Sequence, residues 1–437
     1  MTPSASAASA STALLTDHYE LTMLQAALRS GAADRRCVFE TFTRRLPEGR
    51  RYAVLAGTGR FLDALEDFRF GEAEIADLHS RKVVDTATCE WLAGFRFSGD
   101  ISGYAEGECF FPGSPVLVVE ATFAEGVVLE TLALSILNHD SAIASAASRM
   151  TSAAGDRPCI EMGSRRTHEQ AAVACARAAY LAGFERTSNL EAGRRYGVPT
   201  TGTSAHAFTL LYDSEREAFA AQLEALGTGT TLLVDTYDVM TAVRTAVELA
   251  GRQLGAVRLD SGDLIVQAHE VRALLDSLGA TDTRIIVTSD LDEYAIAALQ
   301  AAPVDGYGVG TALVTGSGAP TSSMVYKLVS REDAAGTMTP VAKKSKDKLS
   351  VGGRKWALRR IGTNGRAEAE IVGIGERPLD DGNDRNLMVD LVRAGERIDA
   401  GDLSAARARH AASRAELPRQ ATQLQRGEVC IPTRYEP

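Results

Sequence analysis

The chain lacks the cysteine patterns that hold a metal or build a disulfide frame. Its six cysteines, Cys37, Cys89, Cys109, Cys159, Cys175 and Cys430, form no C-x-x-C pair, and no Cys/His group has zinc-ligand spacing. They read as reduced thiols of a cytoplasmic protein, used as small apolar residues. An excess of basic charge is missing too. Forty-seven Lys+Arg against 57 Asp+Glu leave a net charge of -10, which argues against nucleic acid or a membrane surface as partner. Long uninterrupted apolar runs are also absent. The most apolar stretch, 114–137, is broken by Glu120, Glu125 and Glu130, so no segment is expected to span a bilayer. Residues 1–13 are rich in Ser, Ala and Thr without a basic start or a long apolar centre. They read as a disordered lead and not as a signal peptide. No repeat recurs at a fixed period, which excludes a solenoid.

What is present is an ordinary globular composition, 45% hydrophobic and 24% charged, over 437 residues. That length exceeds one core and predicts two or three domains. Residues 14–34 have helical spacing, with Thr16 or Asp17 as cap, Val38–Phe42 reads as a strand, and 52–68 returns to helical spacing. Residues 14–130 therefore predict a mixed α+β domain with antiparallel strands. Over 131–330 short apolar strands alternate with helices, the βα rhythm of a parallel sheet. Seven strands are expected, at 159–162, 186–188, 198–201, 231–234, 256–259, 284–287 and 304–309. The fold class is α/β, a distorted parallel α/β barrel, with an open sheet as the alternative. The remaining 331–437, strand-like at 349–375 and helical at 403–416, are expected to complete the first domain. The second domain is thus built from both chain ends.

Polar residues cluster after the expected strands, where both barrels and open sheets keep their chemistry. Arg258-Leu259-Asp260-Ser261-Gly262-Asp263 brings an arginine, two carboxylates and a hydroxyl to one turn. The arginine suits an anionic substrate. The carboxylates suit ribose hydroxyls or a bound metal ion. The plain alternative is a helix cap by Asp260 or Ser261. Gly306-Tyr307-Gly308-Val309-Gly310-Thr311 offers backbone N–H groups to a phosphate, or is simply a tight turn. Ser289-Asp290 adds donors to the same phosphate or caps a helix. Gly163-Ser164-Arg165-Arg166 puts two arginines at a helix start, where the dipole disfavours them unless an anion is near. His206 alone among the seven histidines sits in a small, hydroxyl-rich frame, Gly202-Thr203-Ser204-Ala205-His206. Tyr19 is suited to stack on a flat ring, or to half-bury on its helix.

These stretches resemble nicotinate phosphoribosyltransferase, a type II phosphoribosyltransferase family. The matching segments are Thr16–Met23, Phe39-Glu40, Glu161–Arg166, Thr187–Asn189, Gly202–His206, Asp235–Asp238, Arg258–Asp263 and Gly308–Thr311, in the expected order over residues 14 to about 330. The resemblance implies ATP-assisted transfer of phosphoribose from phosphoribosyl pyrophosphate to nicotinate, giving nicotinate mononucleotide and pyrophosphate. This is the first step of NAD salvage from nicotinate. It implies magnesium with the phosphates, no protein metal site, and a homodimer that completes each site from two subunits. It assigns Tyr19 to the pyridine ring, Thr203 and Arg258 to nicotinate, Arg165 to the ring site, His206 to phosphorylation by ATP, and Thr311 to phosphoribosyl pyrophosphate. With it, His206, Asp260 and Arg258 are the catalytic candidates. Asp235, Ser261, Gly262, Asp263, Asp290, Gly308 and Gly310 join the substrate-binding set. The basic stretch Lys343–Lys348 departs from the family pattern and receives no role. The rivals are a nicotinamide or quinolinate phosphoribosyltransferase and a non-catalytic nucleotide binder. A type I phosphoribosyltransferase is disfavoured, because Leu232-Leu233-Val234-Asp235-Thr236 lacks the paired acids and Thr-Gly turn of that class.

Overall fold

The structure, a computed structural model, describes residues 11–343, 350–398 and 402–436. Most of the expected lead and most of the basic stretch lie outside them. The lead ends earlier than residue 13, however. Ser11 donates to the Arg69 carbonyl at 2.6 Å, and Ala13 is fully buried in the core.

The described residues form two compact units, one from residues up to Ala142 and from Thr321 onward, the other Ile143–Pro320. The division falls later than residue 130 and earlier than residue 330. It lies within a long helix, Glu130–Ala154. The helical stretch Phe123–Ala154 that contains it is long and apolar enough by composition to cross a membrane, contrary to the sequence expectation, but 67% of its apolar window is buried inside the protein. Its alanines and serines let neighbours pack closely, so it reads as a core helix.

The unit made from both chain ends holds a seven-stranded antiparallel sheet and a four-stranded sheet. Strand Arg36–Thr43, buried at all but its first residue, pairs with Leu117–Thr122 on one side and with Met324–Glu332 on the other. The chain's tail thus enters the sheet built by its start. Two expected helices are shorter than their spacing suggested. The first runs His18–Ser30 with Asp17 at the cap position, although no side chain makes the cap bond. The second is preceded by strand Ala53–Val54 and begins only at Thr58. Gly57, at φ +94°, breaks the path between them, and a Cβ there would crowd Asp140 at 3.0 Å.

The unit Ile143–Pro320 alternates strand and helix. Helices Glu169–Leu181, Glu215–Leu226 and Val239–Ala250 fall where the spacing placed them. Six parallel strands, Arg186–Thr187, Cys159–Glu161, Gly306–Val309, Arg284–Val287, Ala256–Leu259 and Thr231–Leu233, lie side by side in that order. The seventh expected strand contributes one parallel bridge, Thr200 to Thr187. Chain order therefore runs round the sheet as it does in a barrel. Among the described residues no pairing joins Thr200 to Thr231–Leu233, so the sheet is a parallel half-barrel and does not close.

Each turn after a strand carries polar residues with divided duties. One caps the next helix. Asn189, Asp238, Asp263 and Asp292 accept from Ala192, Thr241, Val266 and Ala295 backbone N–H groups respectively. The acids nearer the strand ends, Asp235, Asp260 and Asp290, are left for other work.

Candidate active site

At the carboxyl ends of these strands lies a cleft of about 270 Å³, a size for a small ligand. It is lined by Arg165, Arg166, Arg258, Asp260, Asp290 and Thr311, with Met162, Thr288, Ser289, Gly308 and Gly310. Seven of the fourteen candidate residues are thus brought to one cavity: Arg165, Arg258, Asp260, Asp290, Gly308, Gly310 and Thr311. Three arginines against two carboxylates make it a cavity for anions.

Arg258 is delivered by strand Ala256–Leu259, whose other members are buried. One of its terminal nitrogens donates to Thr203 Oγ1 at 2.6 Å and the other to the Ser204 carbonyl at 3.0 Å. Its Nε is buried without a hydrogen-bond partner. Burial also pulls its pKa down, against the opposing pull of Asp260 and Asp235. A buried guanidinium with an unmet donor calls for an acceptor. Thr203 therefore does not line the cavity but orients the arginine that does.

Asp260 accepts from Thr288 Oγ1. Its other oxygen stands 3.9 Å from His206 Nε2. The His206 ring, its side chain 42% exposed, opens the short helix His206–Thr209. Its Nδ1 is 3.1 Å from Thr236 Oγ1. On the Nε2 side, Asp235 Oδ1 also stands 3.9 Å away. Asp235 is only 2% exposed, and its Oδ2 accepts from Asp260 N at 3.1 Å and Ser261 Oγ at 2.6 Å. Ser261 and Asp235 thus brace the turn behind Asp260 and do not face the cavity.

Asp263 has a different duty from the one expected. It caps helix Leu264–Ser277 through Val266 N at 3.2 Å, so neither Asp260 nor Ser261, the alternative caps, takes that place. Gly262, at φ +83°, makes the turn between them, and a Cβ would lie 2.3 Å from Gln267 Nε2. Tyr19 stands in the other unit, exposed on helix His18–Ser30. Burial, then Glu130 and Glu20, push its phenol up to about 12.

Sequence reasoning missed Thr288, which lines the cavity and donates to Asp260. Thr288 directly follows the expected strand at 284–287 and belongs to none of the motifs read from the sequence. Glu161 went unassigned within its motif, yet it is buried and accepts from Gly163 N and Thr187 Oγ1. It shapes the turn that carries Arg165. Ser289, at φ +131°, holds a conformation that is costly for a residue with a Cβ, and does so at the cavity wall.

The sequence pattern of the nicotinate phosphoribosyltransferase (NAPRTase) N-terminal domain matches residues 14–138. Nicotinate phosphoribosyltransferase pncB1 of Mycobacterium tuberculosis is 59% identical over 433 residues, covering 97% of this chain and 95% of that one. The nicotinate phosphoribosyltransferase of Bacillus subtilis is 37% identical over 383 residues, covering 85% and 78%. Human nicotinic acid phosphoribosyltransferase superposes with a TM-score of 0.81 at 26% identity, covering 96% and 97%. A nicotinate-nucleotide pyrophosphorylase from Pyrococcus furiosus shares the fold, with a TM-score of 0.76 at 24% identity over 92% and 94% of the two chains.

Proposed function

This chain belongs to the nicotinate phosphoribosyltransferase family, and from that premise we propose that its cleft transfers phosphoribose from phosphoribosyl pyrophosphate to nicotinate, with ATP as co-substrate. In this reading the half-barrel is a distorted α/β barrel. The pyridine nitrogen attacks ribose C1, the bond from C1 to the pyrophosphate oxygen breaks, and pyrophosphate leaves with the electron pair. Positive charge builds on the ribose and negative charge on the leaving group. Asp260 and Asp290 suit the first, and Arg165, Arg166 and the backbone around Gly308 and Gly310 suit the second. Magnesium arriving with the phosphate substrates as their counter-ion would supply positive charge to the leaving group. The buried Nε of Arg258 suits the nicotinate carboxylate. Tyr19 is assigned to the pyridine ring. Exposed Leu210 and Leu211, just after the His206 helix, supply apolar surface for the homodimer this reading includes.

The observation that carries the reading is the double position of Asp260, which lines the cleft and faces His206. Phosphate placed on the imidazole by ATP would bring roughly two negative charges to that carboxylate. Ordering of the phosphoribosyl pyrophosphate site then follows the phosphorylation of His206. Labelled ATP tests this, and label is expected on the native chain and not on His206→Ala. Label retained by that variant would sink the assignment. Pyrophosphate release should require nicotinate, outpace release with nicotinamide or quinolinate, and rise with ATP.

A further inference from the structure

We infer that Glu293 is a positioning residue of the cleft, a clamp that holds the Ser289-Asp290 turn and the Gly310-Thr311 turn in place for phosphoribosyl pyrophosphate. The inference rests on the reading of that molecule as a substrate. Glu293 opens helix Glu293–Leu299 and is buried. Its two carboxylate oxygens have separate partners. Oε1 accepts from Arg149 Nε at 3.0 Å, and Oε2 accepts from Ser317 Oγ at 2.6 Å. Arg149, on the core helix Glu130–Ala154, is buried as well, and its guanidinium lies 6.0 Å from the centre of the Tyr294 ring. Burying two charges costs desolvation that their attraction does little more than offset. The pair is better explained by the geometry it fixes.

Both ends of the clamp lead to the cleft. Strands Arg284–Val287 and Gly306–Val309 pair in parallel, and the turns after them put Ser289, Asp290, Gly310 and Thr311 on the cavity wall. Beyond the strands, the ladder no longer aligns the two turns. Glu293 closely follows the first turn. On the second, Thr311 begins the short helix Thr311–Val314, and Ser317 N donates to the Ala312 carbonyl at 2.7 Å. The bond from Ser317 to Glu293 thus ties the exits of both turns together. Ser317 stands between Gly316 and Gly318, both at positive φ, so this segment has little stiffness of its own.

Ser289 supplies an independent observation. Its φ of +131° is a conformation that persists only where the surroundings over-determine it. On one side, Thr288 N donates to the Leu259 carbonyl at 2.8 Å, and Thr288 Oγ1 donates to Asp260. On the other side, Glu293 is held by Arg149. The strained residue is stretched between two anchors. Loosening the second lets it relax, and the cleft wall moves with it. The effect falls on the ligand that touches this wall, phosphoribosyl pyrophosphate, and not on nicotinate.

The test is steady-state pyrophosphate release by the full chain, with each substrate varied in turn. Ser317→Ala leaves the ion pair in place and removes one bond. Its KM for phosphoribosyl pyrophosphate should rise roughly two- to tenfold, the worth of one hydrogen bond, with the KM for nicotinate unchanged. Glu293→Gln, which leaves Arg149 without its counter-charge, should raise it further. Ser289→Gly removes the strain, so on that background Ser317→Ala should raise the KM by a smaller factor. A clamp that serves stability alone would lower the active fraction and leave both KM values in place, and that result overturns the inference. So does a Ser317→Ala factor of equal size on both backgrounds, or a nicotinate KM that rises in step. A native chain that releases no pyrophosphate from phosphoribosyl pyrophosphate overturns instead the substrate reading beneath it. Should Glu293→Gln fail to fold, Ser317→Ala on the two backgrounds decides alone.

Discussion

Gly308 shows how one missing side chain sets a catalytic geometry. A Cβ there would lie 2.4 Å from Thr288 Cγ2 and 2.8 Å from Met162 Sδ. Thr288 Oγ1 is the donor that holds Asp260. Gly308→Ala should therefore displace Thr288 and release Asp260. Overpacking of this kind costs about 1–3 kcal/mol, and pyrophosphate release should fall by at least roughly tenfold, about 1.4 kcal/mol of barrier. Thr288→Ser removes the crowded methyl and keeps the hydroxyl. The double variant should recover much of the lost rate, and steady-state kinetics on both proteins would reveal a failure to do so. The glycine-rich segment Gly306–Thr311 was legible in the sequence, as a phosphate cradle or a tight turn. The close packing against Thr288 was not, because Thr288 and Gly308 are neighbours only across the sheet.

At the scale of the element, the turns after the strands carry acids in pairs: Asp235 with Asp238, Asp260 with Asp263, Asp290 with Asp292. The distal member caps the helix; of the strand-proximal ones, Asp260 and Asp290 line the cleft and Asp235 braces the turn of Asp260. Asp263→Ala should lower stability by about 1 kcal/mol, the usual worth of a cap, with nicotinate turnover largely retained. Asp260→Asn should do the reverse, keeping the melting temperature and losing most of the turnover. Equal effects of the two on both readouts would undo the division of labour. Spacing offered Asp260 or Ser261 as the cap, as the plain alternative to a role in the site, and the cap is Asp263 instead. A helix begins where its first free N–H groups meet an acceptor, and that depends on where the strand stops.

For the whole molecule, His410 on helix Leu403–Glu416 ties stability to pH. It is 2% exposed, and burial first, then Arg414, push its pKa down to about 3. An unfolded chain binds a proton there near 6.5, whereas the folded one does not until about 3. Stability is thus intact above 6.5 and falls as pH drops below it, by at most about 1.4 kcal/mol per pH unit for this one group. Urea midpoints for the native chain should fall from neutrality towards roughly pH 5. A His410→Gln variant should show a shallower fall over the same range.

The sequence by itself determined the alternation of strand and helix across Ile143–Pro320, the positions of six of its seven expected strands, and the candidacy of Arg258, Asp260 and His206. Local apolar periodicity and polar punctuation encode all of these. Only the tertiary structure decided which acid faces the cleft, which glycine is needed for packing, and that Thr200 makes one bridge and leaves the sheet open. Those outcomes depend on which side chains meet across strands far apart in the chain, and a linear pattern carries no distance between them.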